Sequence, residues 1–266
     1  MDYSRIKFFI MNKWLSEIIA ELKKLDKKIV IILISILVIQ TISYYFVSRE
    51  FFQSEVQSWI GEASVISLWE NLYWIVGDFC CFFIFPWFII KIIFKEKLKH
   101  YGLKTILVYD ASKYLLPTLL FILVISWFIT SIESISLTHP VLFEAKYNWN
   151  WFVVFELILF VYIFAWEFLW RGYMLFGLEQ KFGWYAVFIQ TIPFVILHNG
   201  KPAVETFSAI AGGIILGIIA IKTRTILYGV ILHFGLIFFT DLFSVIRFRV
   251  NEFGVGIESL FNLIGK

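Results

Sequence analysis

The feature that most constrains this chain is a series of seven apolar segments separated by charged or turn-forming residues. Each has about the length, close to 20 residues, that crosses the ~30 Å hydrocarbon layer of a bilayer as a helix. A spanning segment must be helical, because an unpaired backbone amide in hydrocarbon costs several kcal/mol. The sequence predicts an all-α polytopic membrane protein with about seven to eight transmembrane helices, at 29–47, 72–93, 114–132, 151–178, 184–198, 203–221 and 226–246.

Composition excludes a soluble globular domain. Hydrophobic residues make up 60% of the chain and charged residues 16%, against roughly 25% charged residues in soluble domains. The net charge of +3 is small and scattered, so no nucleic-acid partner is expected. The two cysteines, Cys80 and Cys81, are adjacent, which excludes a disulfide framework or a zinc-finger spacing.

The distribution of Lys and Arg predicts the orientation. Residues 1–28 combine seven basic residues with regularly interspersed apolar ones, which is typical of an amphipathic helix on a membrane surface. The connection after the second segment is also strongly basic, whereas the opposite connections carry one basic residue each, Arg49, Lys146 and Lys201. This asymmetry predicts an N-terminus in the cytoplasm. Arg247 and Arg249, after the seventh segment, are weak evidence against this orientation. They are compatible with an eighth, partly inserted segment in the tail.

The chain therefore divides into an arm (1–28), N-terminal transmembrane helices (29–148), a core (149–246) and a tail (247–266). Ionisable residues at membrane depth are rare and usually face a cavity or a partner. Counting helical rise from the basic turns places Glu167, His198, Glu205 and Asp241 roughly 20 to 25 Å up their helices, and His233 roughly 14 Å. Two imidazoles and three carboxylates are thus expected to converge in the core.

Two local patterns support such a site. Glu167 and Arg171 are four residues apart, on one helix face, where they can pair. The run Asn199-Gly200-Lys201-Pro202 should end the fifth helix directly after His198. Broken backbone at membrane depth is tolerated only beside protein or water, so His198 is expected to open on a wet cavity.

These residues resemble the motifs of the CAAX protease and bacteriocin-processing family (CPBP, or Abi). The resemblance rests on Trp-Glu-Phe-Leu-Trp-Arg-Gly at 166–172, on Phe194-x-x-x-His198, on the glycine-rich sixth segment and on His233, within about 151–243. It implies an intramembrane endopeptidase similar to the type II CAAX prenyl endopeptidases, in a bacterial cytoplasmic membrane. Two positions depart from the family pattern: Trp166 replaces the first Glu of Glu-Glu-x-x-x-Arg, and Ile237 replaces the last residue of His-x-x-x-Asn/Asp.

The resemblance also implies the roles of the site residues. A Glu and a His hold the nucleophilic water, and a second His stabilises the tetrahedral intermediate. We accordingly assign Glu167 and His198 to the water, His233 to the oxyanion, and Arg171 to holding Glu167. Glu205 or Asp241 would orient a histidine or replace the missing Glu. No cofactor is expected, and the partners are the lipid bilayer and a membrane-associated peptide or protein.

Other interpretations stay open at this point. Each polar residue can be structural: a packing ion pair of Glu167 with Arg171, a helix cap at His198, a cross-helix hydrogen bond from His233, or pairs of Glu205 with Lys201 and Asp241 with Arg247. Two histidines and several carboxylates can also hold zinc, although no His-Glu-x-x-His helix is present. An inactive immunity or binding protein and a transporter with its site at the broken helix are further alternatives.

Overall fold

The computed structural model of the chain describes residues 3–60, 66–105, 113 and 115–264, and within these residues it is helical without strands. Five apolar helices are long enough to cross a membrane and two are shorter, which confirms the predicted all-α polytopic membrane fold. The residue that opens the third predicted segment, Tyr114, lies outside the described residues. The helices are α1 (Tyr3–Lys24), α2 (Lys27–Ile60), α3 (Ile66–Ile93), α4 (Leu116–Ile129), α5 (Glu133–Thr138), α6 (Trp149–Phe182), α7 (Tyr185–Ile196), α8 (Ala203–Thr223), α9 (Leu227–Val250) and α10 (Ile257–Ile264).

The N-terminal arm forms a helix of its own. Helix α1 ends at Lys24, and the carboxylate of Asp26 then accepts hydrogen bonds from the amides of Lys28 and Ile29 at the start of α2. An aspartate in this position satisfies amides that have no partner within the helix. The cap separates the basic arm from the first apolar helix, and the location of the arm on the membrane surface stays a prediction.

The outer surface of the bundle is apolar. Leu157 of α6 and Ile192 of α7 are 65% and 63% exposed, and Leu120 and Phe121 of α4 are similarly open. Contiguous apolar surface of this kind is unfavourable in water and is typical of a face that contacts lipid. The polar residues of α6, α8 and α9 that concern the site are buried inside this surface or lie at its ends.

The core is centred on the second half of α6. Its regular part ends at Glu167, and residues Phe168–Phe176 form a wider, π-helical stretch in which every residue is buried. Wide turns of this kind are frequent at functional sites because they redirect side chains that a regular helix would place elsewhere. Helices α2, α3 and α7 pack around this stretch through Ile32, Phe82 and Phe194.

Helices α7 and α8 form a close antiparallel pair that brings the fifth segment against the glycine-rich sixth. Gln190 on α7 donates a hydrogen bond to the carbonyl oxygen of Gly213 on α8 at 3.0 Å. A Cβ at Gly213 would lie 2.8 Å from Thr191, so this approach requires glycine. Helix α7 ends at Ile196, and the chain turns through residues 197–202 into α8.

Candidate active site

Glu167 and Arg171 form a fully buried ion pair inside α6. Arg171 Nη1 donates to Glu167 Oε1 at 2.9 Å, and both side chains are 0% exposed. The i, i+4 spacing allows this contact because the two residues share one face of the helix. Each charge reduces the cost of burying the other. The predicted proximity of these two side chains is therefore present in the structure.

His233 on α9 is the second partner of Glu167. Its Nδ1 lies 2.7 Å from Glu167 Oε1, and because a carboxylate only accepts, Nδ1 is the donor. One helical turn earlier, Gly229 provides space for the acid, since a Cβ there would lie 2.7 Å from Glu167 Oε2. Helix α9 thus supplies both a hydrogen-bond donor and an opening for the same carboxylate.

His198 forms its hydrogen bond with the end of its own helix. Its Nδ1 donates to the carbonyl oxygen of Phe194 at 2.8 Å, as in the interpretation of His198 as a helix cap. The histidine that hydrogen-bonds to Glu167 is His233. The reason is that α7 ends at Ile196, so His198 lies in the following turn and its ring folds back on its own helix.

The ring of Phe194 joins these groups into one cluster. Its centroid lies 4.3 Å from the Arg171 guanidinium, 4.7 Å from the ring centroid of His198 and 6.4 Å from that of His233. The cation–π contact gives the buried guanidinium a second favourable neighbour. We call these five residues, Glu167, Arg171, Phe194, His198 and His233, the glutamate–histidine cluster.

Trp166, which the sequence resemblance aligns with the first glutamate of the family motif, borders this cluster. Its ring centroid lies 6.0 Å from that of His198, and the side chain is 8% exposed. Its indole Nε1 is buried and has no hydrogen-bond partner in the described part of the chain. A buried N–H without a partner is costly. The indole N–H of Trp166 is therefore a hydrogen-bond donor available to a ligand. Ile237, the other departure, packs among the apolar side chains of α6 and α9.

Glu205 and Asp241 belong to a second cluster, which centres on His139. His139 Nδ1 lies 2.6 Å from Asp241 Oδ1, and His139 Nε2 lies 3.5 Å from Glu205 Oε1. Lys201 Nζ lies 3.7 Å from the other oxygen of Glu205, as the local-pair interpretation expected. We call His139, Lys201, Glu205 and Asp241 the His139 cluster. The five acids and imidazoles expected in one layer are therefore divided between two clusters.

The partner of Asp241 is His139, and the pair of Asp241 with Arg247 is not formed. Arg247 instead donates to Thr130 and to backbone carbonyl oxygens. Burial alone would lower the pKa of His139, but Asp241 and Glu205 outweigh it and raise that pKa to about 9. His139 escaped the sequence analysis because it lies outside the apolar segments and in none of the motifs. The sequence feature that could have led to His139 is Asp241, an acid inside an apolar segment, because a buried carboxylate requires a cationic partner.

The two clusters meet at the turn between α7 and α8. The hydroxyl of Thr206 donates to the carbonyl oxygen of His198 at 2.8 Å, and the amide of Lys201 donates to the same oxygen at 3.2 Å. Because Glu205 precedes Thr206 directly, a displacement of this turn would alter both clusters.

The zinc interpretation requires a set of ligands around one point. Within the described ranges, no three His, Cys, Asp or Glu side chains form a group that would hold a metal ion. Glu167 is engaged by Arg171 and His233, whereas Glu205 and Asp241 contact His139. The donor set considered for zinc is therefore divided between two places and does not fit one metal ion.

Comparison with known proteins bears on the same region. Residues 146–239 match the family model described as type II CAAX prenyl endopeptidase, Rce1-like, which covers about a third of the chain. The match contains the complete glutamate–histidine cluster, whereas His139 and Asp241 lie outside it. No curated protein and no solved structure matches this chain. Residues 146–239 of this integral membrane protein are therefore similar to the type II CAAX prenyl endopeptidases.

Proposed function

We propose that this protein is an intramembrane endopeptidase that hydrolyses a peptide bond of a membrane-associated protein or peptide, with a water activated by Glu167 and His233. The observation that carries the proposal is the buried Glu167 Oε1, which accepts hydrogen bonds from both Arg171 and His233. An acid, a base and an orienting cation from two helices are the parts that water activation needs. The family match supports the same reaction class.

In this mechanism His233 is the general base. Because its Nδ1 proton is held by Glu167, its Nε2 carries the lone pair and can take a proton from water. The carboxylate stabilises the imidazolium that forms, as the acid of a catalytic triad does. The hydroxide attacks the peptide carbonyl carbon, and His233 then delivers its proton to the leaving amine. Arg171 holds Glu167 in position through its hydrogen bond to Oε1. We thus assign the water to Glu167 with His233, in place of Glu167 with His198.

We assign stabilisation of the oxyanion to the indole N–H of Trp166, which is buried without a hydrogen-bond partner in the described part of the chain and lies beside the His198 ring. A donor aimed at the developing charge is the usual requirement of acyl transfer. His198 is not given this role, because its Nδ1 proton is donated to the Phe194 carbonyl oxygen and its Nε2 carries the lone pair of the neutral ring. Trp166 thereby takes a different part in the reaction from the acid that it replaces.

The His139 cluster supports the site from outside. It joins the connection between α5 and α6 to α8 and α9, next to the turn that carries His198. Glu205 and Asp241 then orient a histidine, as one of the sequence-based assignments had it, but the histidine is His139. We further propose a cytoplasmic N-terminus, supported by the Lys and Arg distribution, and a bacterial cytoplasmic membrane, supported by the family resemblance.

The test is cleavage by the purified full chain in lipid nanodiscs. The probes are two quenched fluorescent peptides, one ending in a prenylated Cys-a-a-X sequence and one unprenylated apolar peptide. We expect Glu167→Gln and His233→Gln each to lower kcat by at least about a hundredfold. The matched control is Glu156→Gln, which changes another buried carboxyl group of α6 outside the glutamate–histidine cluster.

The proposal fails if Glu167→Gln and His233→Gln cleave at the wild-type rate, or if only chelator treatment stops cleavage. A second candidate, a binding or immunity protein without turnover, is favoured by Trp166 in the place of the family's first acid. It predicts that the wild-type chain binds a probe peptide and leaves it intact. Product analysis by mass spectrometry distinguishes the two functions, because only the endopeptidase yields two peptide fragments.

A further inference from the structure

A cavity of about 540 Å³ lies at the basic end of the bundle, away from both clusters. It is formed where α6 and α8 end and by the segment that follows α3. The side chains that matter here are Lys99, His100, Lys104, Glu179, Trp184 and Arg224. Its volume is in the range of pockets that hold small ligands. Neither the proposed mechanism nor the family motifs assign a role to it.

The charge of the cavity is positive and only partly compensated. Arg224 forms an ion pair with Glu179, which accounts for the acid of the lining. Lys99 and Lys104 are exposed, and among the residues that the structure describes neither forms an ion pair. Two ammonium groups that line one cavity, whose acid Glu179 is already paired with Arg224, favour an anion with several acceptor oxygens.

The cavity lies at the level expected for lipid headgroups, at the ends of the apolar helices. It lies just beyond Phe182 and Thr223, where two long apolar helices end. Trp184 on its rim is 51% exposed, and the ammonium of Lys222 lies 6.0 Å from its ring centroid. Tryptophan combined with basic residues is typical of the membrane interface. Phe176 adds an apolar wall on the side of the bundle.

We propose that this cavity binds the phosphate headgroup of an anionic phospholipid. Lys99 and Lys104 contact the phosphate, and the apolar walls formed by Phe176 and Trp184 accommodate the adjoining part of the lipid. Basic pockets between transmembrane helices bind anionic headgroups in this way, with about a fivefold effect on affinity for each Lys or Arg near the surface. A free phosphate would meet the same ammonium groups but would gain nothing from the apolar walls.

The experiment is a calorimetric titration of the detergent-solubilised full chain. Short-chain phosphatidylglycerol, short-chain phosphatidylcholine and glycerol phosphate are titrated separately. We expect phosphatidylglycerol to bind at least tenfold more tightly than either of the other two ligands. The double variant Lys99→Gln/Lys104→Gln should weaken phosphatidylglycerol binding roughly 30-fold. Lys91→Gln/Lys97→Gln is the matched control, because it removes the same charge from exposed positions at the same end outside the cavity.

Three outcomes would overturn the proposal. Equal affinity for the two lipids would show that the headgroup charge is not recognised. An equal loss in the control variant would show diffuse attraction in place of a site. Glycerol phosphate that binds as tightly as phosphatidylglycerol would identify a site for soluble phosphates. The thermal midpoint of each variant, measured without lipid, verifies that the exposed substitutions leave the fold intact.

Discussion

The environment of Glu167 determines what this residue can do. One oxygen accepts from Arg171 and His233, and the other has no hydrogen-bond partner in the described part of the chain. A fully buried carboxylate with a free oxygen is costly unless it serves a ligand or a reaction. The free oxygen, Oε2, faces the backbone of Gly229. The absence of a side chain at Gly229 leaves the space that this oxygen occupies.

Replacing Gly229 with alanine tests this arrangement. The new Cβ would lie 2.7 Å from Glu167 Oε2 and push the carboxylate away from His233. We expect kcat to fall about a hundredfold, because small misplacements of a catalytic group have effects of that size. Gly212→Ala is the control, since a Cβ there meets nothing within 4 Å. Cleavage by Gly229→Ala at the rate of Gly212→Ala would contradict the positioning role.

At the level of elements, the His139 cluster connects three parts of the bundle that are distant in sequence. His139 lies between α5 and α6, Glu205 in the first turn of α8, and Asp241 in α9. Within the cluster Lys201 contacts Glu205, and two further ionisable groups, Lys146 and Glu156, lie near Asp241. Burial lowers the pKa of Lys146, and Asp241 counteracts this effect.

The His139 cluster predicts a stability that depends on pH. The pKa of His139 is raised from 6.5 to about 9 in the folded protein. A raised pKa stabilises the fold fully below the unfolded value, here about 6.5, and this contribution is lost as the pH rises through about 9. We expect His139→Gln to be less stable than wild type by on the order of 3 kcal/mol at pH 6, and the difference to shrink at pH 10.

Unfolding of both proteins in mixed micelles at the two pH values measures this difference. The control is His100→Gln, because His100 is exposed and lies outside the cluster. A stability difference for His139→Gln that is the same at pH 6 and pH 10 would contradict the ionic role of His139.

The elements were predictable from sequence wherever local rules decide. The length of the apolar segments predicted the helices, and the i, i+4 spacing predicted the contact between Glu167 and Arg171. The choice between His198 and His233 as partner of Glu167 was not predictable, because it depends on the last residue of α7 and on the direction of the following turn. Helical rise gives the height of Glu205 and Asp241 but not the direction in which they face, which explains their association with His139.

The whole molecule has two chemically different ends. The end formed by Lys99, Lys104 and Arg224 is basic and carries the cavity, whereas the opposite connections contain the His139 cluster. The glutamate–histidine cluster lies between the two ends along α6. The cytoplasmic N-terminus stays a prediction, because it rests on this same distribution of basic residues.

Cysteine labelling tests this orientation. In a background with Cys80→Ala and Cys81→Ala, single cysteines at Lys97 and Tyr147 report the two ends, and both positions are exposed. We expect a membrane-impermeant maleimide added to intact spheroplasts to label Tyr147→Cys and to leave Lys97→Cys unlabelled until the membrane is opened. The reverse pattern would invert the assigned orientation.

The central claim is that Glu167 and His233 act as one catalytic unit, and a double-mutant cycle on kcat tests it most directly. Groups that act together are strongly non-additive, because removing either one already disables the unit. For peptide cleavage in nanodiscs, we predict that Glu167→Gln/His233→Gln is no slower than the slower of the two single variants. Losses that multiply in the double variant would contradict the account, because they would show that the two residues contribute independently.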